Sequence, residues 1–274
     1  MGLLKGGRIG GTLIIALIMA GFTLFQYYAK SSQNEITGET QHVDMTSDEE
    51  IALGLQSAPY IIKEYGGLYP DQKMQNNVKA VGTKIVRNSV AKKSPYPYQF
   101  HLLADPNTIN AFALPGGQVF ITYALFSKLE SEDQLAGVLG HEIGHVIARH
   151  SAERIADQAL TEGLTGAVVV ATGTQQSAQM AQMVSNMINM KYGRGQELQS
   201  DELGVRFMLE AGYDPEGMTG VMKILEEAGN GHEQPEFAST HPSPENRIQR
   251  IQEAIEKYGH LKNTNGDTAP QVQN

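Results

Sequence analysis

The chain opens on an apolar run. Residues 9–29 carry no charged side chain, and about 20 such residues match the thickness of a bilayer core. Lys5 and Arg8 stand before the run, and Glu35, Glu39, Asp44 and Asp48 follow it. The positive-inside rule then puts residues 1–8 in the cytoplasm and the remainder outside it. A cleaved signal peptide is the rival reading. It finds no small-x-small site, because Ile18 stands two residues before Ala20 and Tyr27 two before Ala29. The expectation is an uncleaved, single-pass transmembrane anchor over 9–29.

Residues 30–45 are polar and read as a linker. Ser47 and Glu50 fit a capping box ahead of a helix running to about Tyr65. Met74, Val78, Val81 and Ile85 recur at helical spacing and predict a second helix over 71–90. Pro95 and Pro97 break the pattern. Strands are predicted at 98–104, 110–114 and 118–122, the last two joined by the turn Pro115-Gly116-Gly117. Ser131 and Gln134 cap a helix over 134–150, and a Gly- and Ala-rich helical stretch runs on to about 170. Met180, Met183, Met187 and Met190 form one helical stripe, readable as core packing or as an adaptable substrate surface. A helix over 196–211 stops at Gly212, Asp214-Pro215 starts another, and Ser243-Pro244-Glu245 starts the last, ending near Gly259. The resulting division is a cytoplasmic start at 1–8, an anchor at 9–29, a linker at 30–45, one domain at 46–261 and a disordered polar tail at 262–274.

Composition narrows the chemistry. Of 274 residues, 41% are hydrophobic and 19% charged, an ordinary globular balance. The net charge of −9 argues against nucleic acid as a partner, since phosphate binding needs clustered Lys and Arg. The absence of cysteine excludes disulfides and thiolate metal ligands.

One motif then stands out. His141-Glu142-Ile143-Gly144-His145 is an HExxH pattern. Residues i and i+4 share a helix face, so both imidazoles can bind one zinc ion while Glu142, turned away from them, serves as general base. The flanking Leu135, Val138, Leu139, Val146 and Ile147 supply an apolar face, which separates the motif from a chance match. Gly140 and Gly144 cost the helix about 1 kcal/mol each, so something needs close backbone approach there. His150 lies off the ligand face and reads as a packed or supporting histidine. Catalytic zinc takes three protein ligands and a water. Ala148 and Ser151 exclude the pattern in which a third histidine follows downstream. Glu197 and Asp201, at i and i+4, suit a ligand and an acceptor for a ligand histidine N–H. They also suit an ordinary solvated acidic face, because Glu202 and Glu210 are near.

Four segments, in this order and spacing, resemble the HtpX, BepA and CAAX prenyl protease group of zinc metallopeptidases, a gluzincin family. They are Asn110 to Gly117, His141 to His150, Arg194 with Glu197 and Asp201, and His241-Pro242 with Arg247. The resemblance covers roughly residues 46–258. Ser200 departs from the alanine usual in the family. The resemblance implies one Zn2+ per chain on His141, His145 and Glu197, with Glu142 as catalytic base. It implies that Asp201, His150 and Arg149 support the ligands. It implies that Asn110, Ala111, Phe112 and Ala113 form an edge that binds substrate backbone. His241 and Arg247 would face the cleft, stabilising the oxyanion, or His241 would cap the zinc in a latent form.

The expected fold is α+β and mainly helical, a zincin-like domain with a small sheet. The expected function is zinc-dependent endopeptidase action on unfolded or misfolded proteins in envelope quality control. The expected site of action is the bacterial inner membrane, with the domain on the periplasmic side. The rival is a non-catalytic anchored chaperone. Substrate preference and oligomeric state are left open by the sequence.

Overall fold

The computed structural model describes residues 6–172, 192–229, 235–242 and 246–263. The methionine stripe, the 243–245 cap and residues 264–274 lie outside the described residues.

The fold grows around one helix. Glu132–Ile147 (α5) is buried at every position from Leu135 to Ile147. An α-helix buried all round needs partners on every side. They are Gln72–Asn88 (α3), Arg194–Ala211 (α7), Glu216–Gly229 (α8) and a three-stranded sheet. The sheet order is β3 (Gln99–Leu103), β5 (Gln118–Thr122), β4 (Ala111–Leu114). β3 pairs with β5 in parallel and β4 with β5 antiparallel, so β4 is an edge, and a single helical turn, Tyr123–Phe126 (α4), follows β5. Period-2 alternation sends Ala111 and Ala113 to the main core and Phe112 and Leu114 to a smaller cluster beneath Ser47–Glu64 (α2).

The two glycines that weaken α5 find their reason here. A Cβ on Gly140 would lie 3.3 Å from the Gly204 carbonyl oxygen and one on Gly144 would lie 2.9 Å from the Ser200 carbonyl oxygen; from the other helix, a Cβ on Gly204 would lie 3.0 Å from the His141 nitrogen. The backbones of α5 and α7 therefore cross in near-contact, which brings Glu197 and Asp201 over the HExxH motif. Ser200 is small enough to sit under Gly144, and it is fully buried. The turn between β4 and β5 also needs glycine. Gly116 (φ 77°) presses on Ile51, where any side chain would overlap the backbone.

Several elements differ from the sequence expectation. The capping box of α2 is Thr46 with Glu49, one residue early. Glu50 is instead buried against Arg149 and Tyr96. Ser131 caps α5, but Gln134 answers the amide of Glu130 instead of that of Ser131. The helix expected to reach His150 stops at Ile147. Arg149 takes a left-handed conformation (φ 55°), and a new helix, His150–Thr172 (α6), leaves in another direction. The polar stretch read as a linker holds a hairpin, β1 (Ser31–Gln33) with β2 (Thr40–His42).

The anchor reading is overturned. Gly6–Ala29 is a helix (α1), but among the described residues no helix is long and apolar enough to cross a membrane. The physical reason lies in its second half. Thr23, Gln26 and Tyr27 interrupt the apolar run, and this face docks along α6. The Tyr27 hydroxyl donates to Asp157 at 2.7 Å, and Thr23 packs on Gly163. The single-pass inner-membrane placement is withdrawn.

Candidate metal centre

Three elements converge on one point. The last two turns of α5 present His141 and His145, the first turn of α7 presents Glu197, and the end of a short helix, Glu236–Thr240 (α9), presents His241. The ligand-type atoms of these four residues all lie within 4.8 Å of one another, and all four residues are buried. His141 Nε2 and His145 Nε2 are 3.0 Å apart. The Glu197 carboxylate lies 3.6 Å from His141 Nε2 and 3.4 Å from His145 Nε2. His241 Nδ1 lies 3.1 Å from Glu197 Oε1 and 3.3 Å from His141 Nε2.

Hydrogen bonding leaves several polar atoms of this group unmet. Both oxygens of Glu142, Glu197 Oε2 and His241 Nε2 are buried with no hydrogen-bond partner. Buried polar atoms are almost always hydrogen-bonded, and these have only ion-pair neighbours, Glu142 Oε1 with His241 Nε2 at 3.6 Å and Glu197 Oε2 with Arg247 at 3.3 Å, which leaves lone pairs free for a cation. The donor set fits zinc: two imidazoles and a carboxylate, with no competing thiolate. These residues can hold one Zn2+.

Further side chains stand behind these residues. His141 Nδ1 lies 2.8 Å from Asp201 Oδ1. Asp201 in turn accepts two bonds from Arg247, at 2.7 and 2.9 Å. Arg247 enters from Arg247–Tyr258 (α10), is almost fully buried, and also reaches Glu197 at 3.3 Å. His145 Nδ1 lies 2.9 Å from His150 Nδ1, and His150 Nε2 lies 2.7 Å from Gln199 Oε1. Arg149 turns away from the ligands, to Glu50 and the Met45 carbonyl. Asn110, at the start of the β4 edge, donates to Glu236 at 2.7 Å, while Ala111, Phe112 and Ala113 are buried.

Electrostatics follows from burial. Glu142 is fully buried, and desolvation raises its pKa against the lowering influence of His241 and His141. Burial lowers His145 well below the usual histidine range and lowers His150 to about 4. Burial pushes Glu197 upward, but the charge of His241 and hydrogen bonds from His145 and His241 outweigh it and hold the carboxylate ionised. Asp201 is likewise pushed up by burial and held down more strongly by Arg247 and His141.

A profile of peptidase family M48 matches residues 72–255. The chain belongs to this family. The resemblance carried by the four motifs is therefore borne out, and so is the zincin-like, mainly helical fold. Among relatives of this M48 chain is the beta-barrel assembly-enhancing protease of Escherichia coli, 28% identical over 249 residues, covering 86% of this chain and 50% of the relative. Another is the mitochondrial metalloendopeptidase OMA1 of Schizosaccharomyces pombe, 29% identical over 244 residues, covering 88% and 71%. The OMA1 protein of Saccharomyces cerevisiae is 26% identical over 267 residues, covering 90% and 75%. The chain spans about half the length of the beta-barrel assembly-enhancing proteases it resembles.

Three neighbours of the site gave no signal in the sequence. Tyr192 lays its ring on His145, with centroids 3.9 Å apart, and its hydroxyl pairs with Ser151. Phe237 stacks on His241 at 4.4 Å. Glu236 joins Tyr65 to Asn110. The one usable cue was position: Tyr192 stands two residues before Arg194, inside the third motif.

Proposed function

We propose that this chain is a zinc-dependent metalloendopeptidase that hydrolyses peptide bonds in unfolded or misfolded proteins. The observation that carries the reading is the buried group His141, His145, Glu197 and His241, with the unpartnered carboxylate of Glu142 beside it. The names of the relatives, a protease that enhances β-barrel assembly and a mitochondrial metalloendopeptidase, support a place in protein quality control.

In this reading His141, His145 and Glu197 hold the metal. Bound zinc supplies Lewis-acid polarisation of a carbonyl and a water acidified toward neutral pH. The protein's own residues do the rest. Glu142, its pKa raised by burial, accepts a proton from the attacking water and delivers it to the leaving amine. Asp201 fixes the ring of His141 and strengthens it as a ligand, and Arg247 keeps Asp201 ionised. Extended substrate adds along the Asn110–Ala113 edge, which presents the scissile bond beside Glu142.

His241 has two jobs, in two states. Held 3.1 Å from Glu197, it is a fourth donor, and four protein donors leave no open position for water. This is a resting form. Displaced from the donor group, the same imidazole faces the developing oxyanion.

The test is zinc content together with casein cleavage by the full chain. Wild type should bind one zinc, and Glu197→Ala should lose it along with cleavage. His241→Ala should keep zinc and raise basal cleavage. Zinc retained in full by Glu197→Ala overturns the ligand assignment, and unchanged or lower cleavage by His241→Ala overturns the resting form.

A further inference from the structure

The segment between α1 and α2, expected to be a linker, makes two buried side-chain contacts with the end of α5. Asn34 and Gln41 are amides in a polar hairpin, and both are buried. Each points at the place where the active-site helix ends.

Helix ends leave carbonyls without intrahelical donors. At the end of α5, the Ala148 amide takes the Gly144 carbonyl and the Arg149 amide takes that of Val146. The next two carbonyls, of Ile147 and Ala148, fall at the left-handed turn through Arg149. Asn34 Nδ2 donates to Ile147 O at 2.8 Å, and Gln41 Nε2 donates to Ala148 O. The amides are also tied to each other, Asn34 Nδ2 donating to Gln41 Oε1 at 3.0 Å. Asn34 Oδ1 meanwhile accepts from the amides of Ile36 and Thr37, which fixes the hairpin turn. Beyond the hairpin, the Met45 carbonyl and Glu50 hold the Arg149 side chain. The junction between α5 and α6 is thus gripped on both sides by residues 34–50.

That junction lies between two histidines. His145 occupies the last turn of α5 and His150 the first turn of α6, so the turn between them sets how the two rings meet. Gln41 and His150 line the same polar cavity of about 300 Å³, with Glu153 and Gln199. The hairpin is therefore positioned against the back of the His150 support.

We infer that Asn34 and Gln41 are positioning residues of the metal centre. They cap the active-site helix from outside it and fix the α5–α6 angle at which His150 steadies the ligand His145. This rests on the zinc reading above. It gives the 30–45 segment a role in metal retention that a tether would not have.

The experiment measures zinc affinity of the full chain by chelator competition, and the visible spectrum of the cobalt-substituted protein. The variants are Asn34→Ala, Gln41→Met, which keeps length and loses the amide, and His150→Gln. Each hairpin variant should bind zinc roughly tenfold more weakly, the lower end of what loss of a ligand support costs. The cobalt spectrum should change with it. In the His150→Gln background, Gln41→Met should cost no more than about twofold, because the contact it serves is gone. Gln41→Met carries the test if Asn34→Ala does not fold. Ile85→Val, a core change remote from the junction, is the control for general destabilisation. Wild type that binds zinc beside hairpin variants with unchanged affinity overturns this inference alone. So does a loss no greater than that of an equally destabilised Ile85→Val. Wild type that binds no zinc overturns the metal reading and this inference with it.

Discussion

His141 and His145 stand one turn apart on the same helix face, and they are held from behind in unlike ways. Behind His141 lies a charged pair, Asp201 and Arg247, closed by bonds of 2.7 to 2.9 Å. Behind His145 lies a neutral chain, His150 and then Gln199, and behind that a polar cavity. The first support comes from α7 and α10, deep in the core. The second comes from the start of a new helix whose angle depends on the hairpin. One imidazole is thus fixed by charged partners in the core, the other by the geometry of a chain turn. The core side should carry more of the stability and more of the metal affinity.

The largest effect expected from this contrast is on the charged side. Arg247→Met leaves Asp201 and Glu197 buried without their cation, and breaking a buried pair in this way costs about 3–5 kcal/mol. Urea unfolding of the variant should show it, and a loss under about 1 kcal/mol would mean that Arg247 is not the counter-charge. Next in size is Asp201→Asn. It keeps the shape but removes the charge that steadies His141, and zinc should bind about 10–100-fold more weakly by chelator competition. His150→Gln should cost less than Asp201→Asn in the same assay. If it costs more, the ranking of the two supports is reversed.

The last effect expected is on pH dependence, and it separates the two sides by their pH windows. In the metal-free chain, His150 has a folded pKa of about 4, below the ordinary 6.5. The unfolded chain then takes up this proton first, so stability is full above pH 6.5 and declines between 6.5 and about 4. Asp201 is shifted in the same direction, its carboxylate held below the ordinary 3.8, so its loss falls at lower pH. Its contribution is full above that value and is lost only as acid carries it through the lower folded pKa. The thermal midpoint should therefore soften in the 6.5 to 4 window, and His150→Gln should flatten that slope. A slope that the substitution leaves unaltered would remove His150 as its source.

The same contrast explains what the sequence revealed. The HExxH motif was legible because its logic is local: helical spacing aligns two rings, and flanking apolar residues give the helix a core to enter. Glu197 and Asp201 were legible as a pair for the same reason, though a solvated face explained them equally well until Gly144 and Gly204 were seen to bring the helices into contact. His241 and Arg247 came through family resemblance alone, since nothing in a histidine before a proline announces a metal. The neutral side was almost invisible. The turn at Ala148 and Arg149 carries neither glycine nor proline, so the helix was read through it. Asn34 meets Ile147 across 113 residues of chain, and no periodicity encodes such a contact. The apolar start misled for a related reason. Hydropathy counts residues and is blind to the docking of Thr23 and Tyr27 on α6.

The most direct measurement pairs zinc content with casein cleavage in wild type and Glu142→Gln. In the proposed reading Glu142 is the base and supplies no ligand atom, so the substitution should leave one zinc per chain and abolish cleavage. Cleavage that survives in Glu142→Gln, or a wild type that binds no zinc, would contradict the account at its centre.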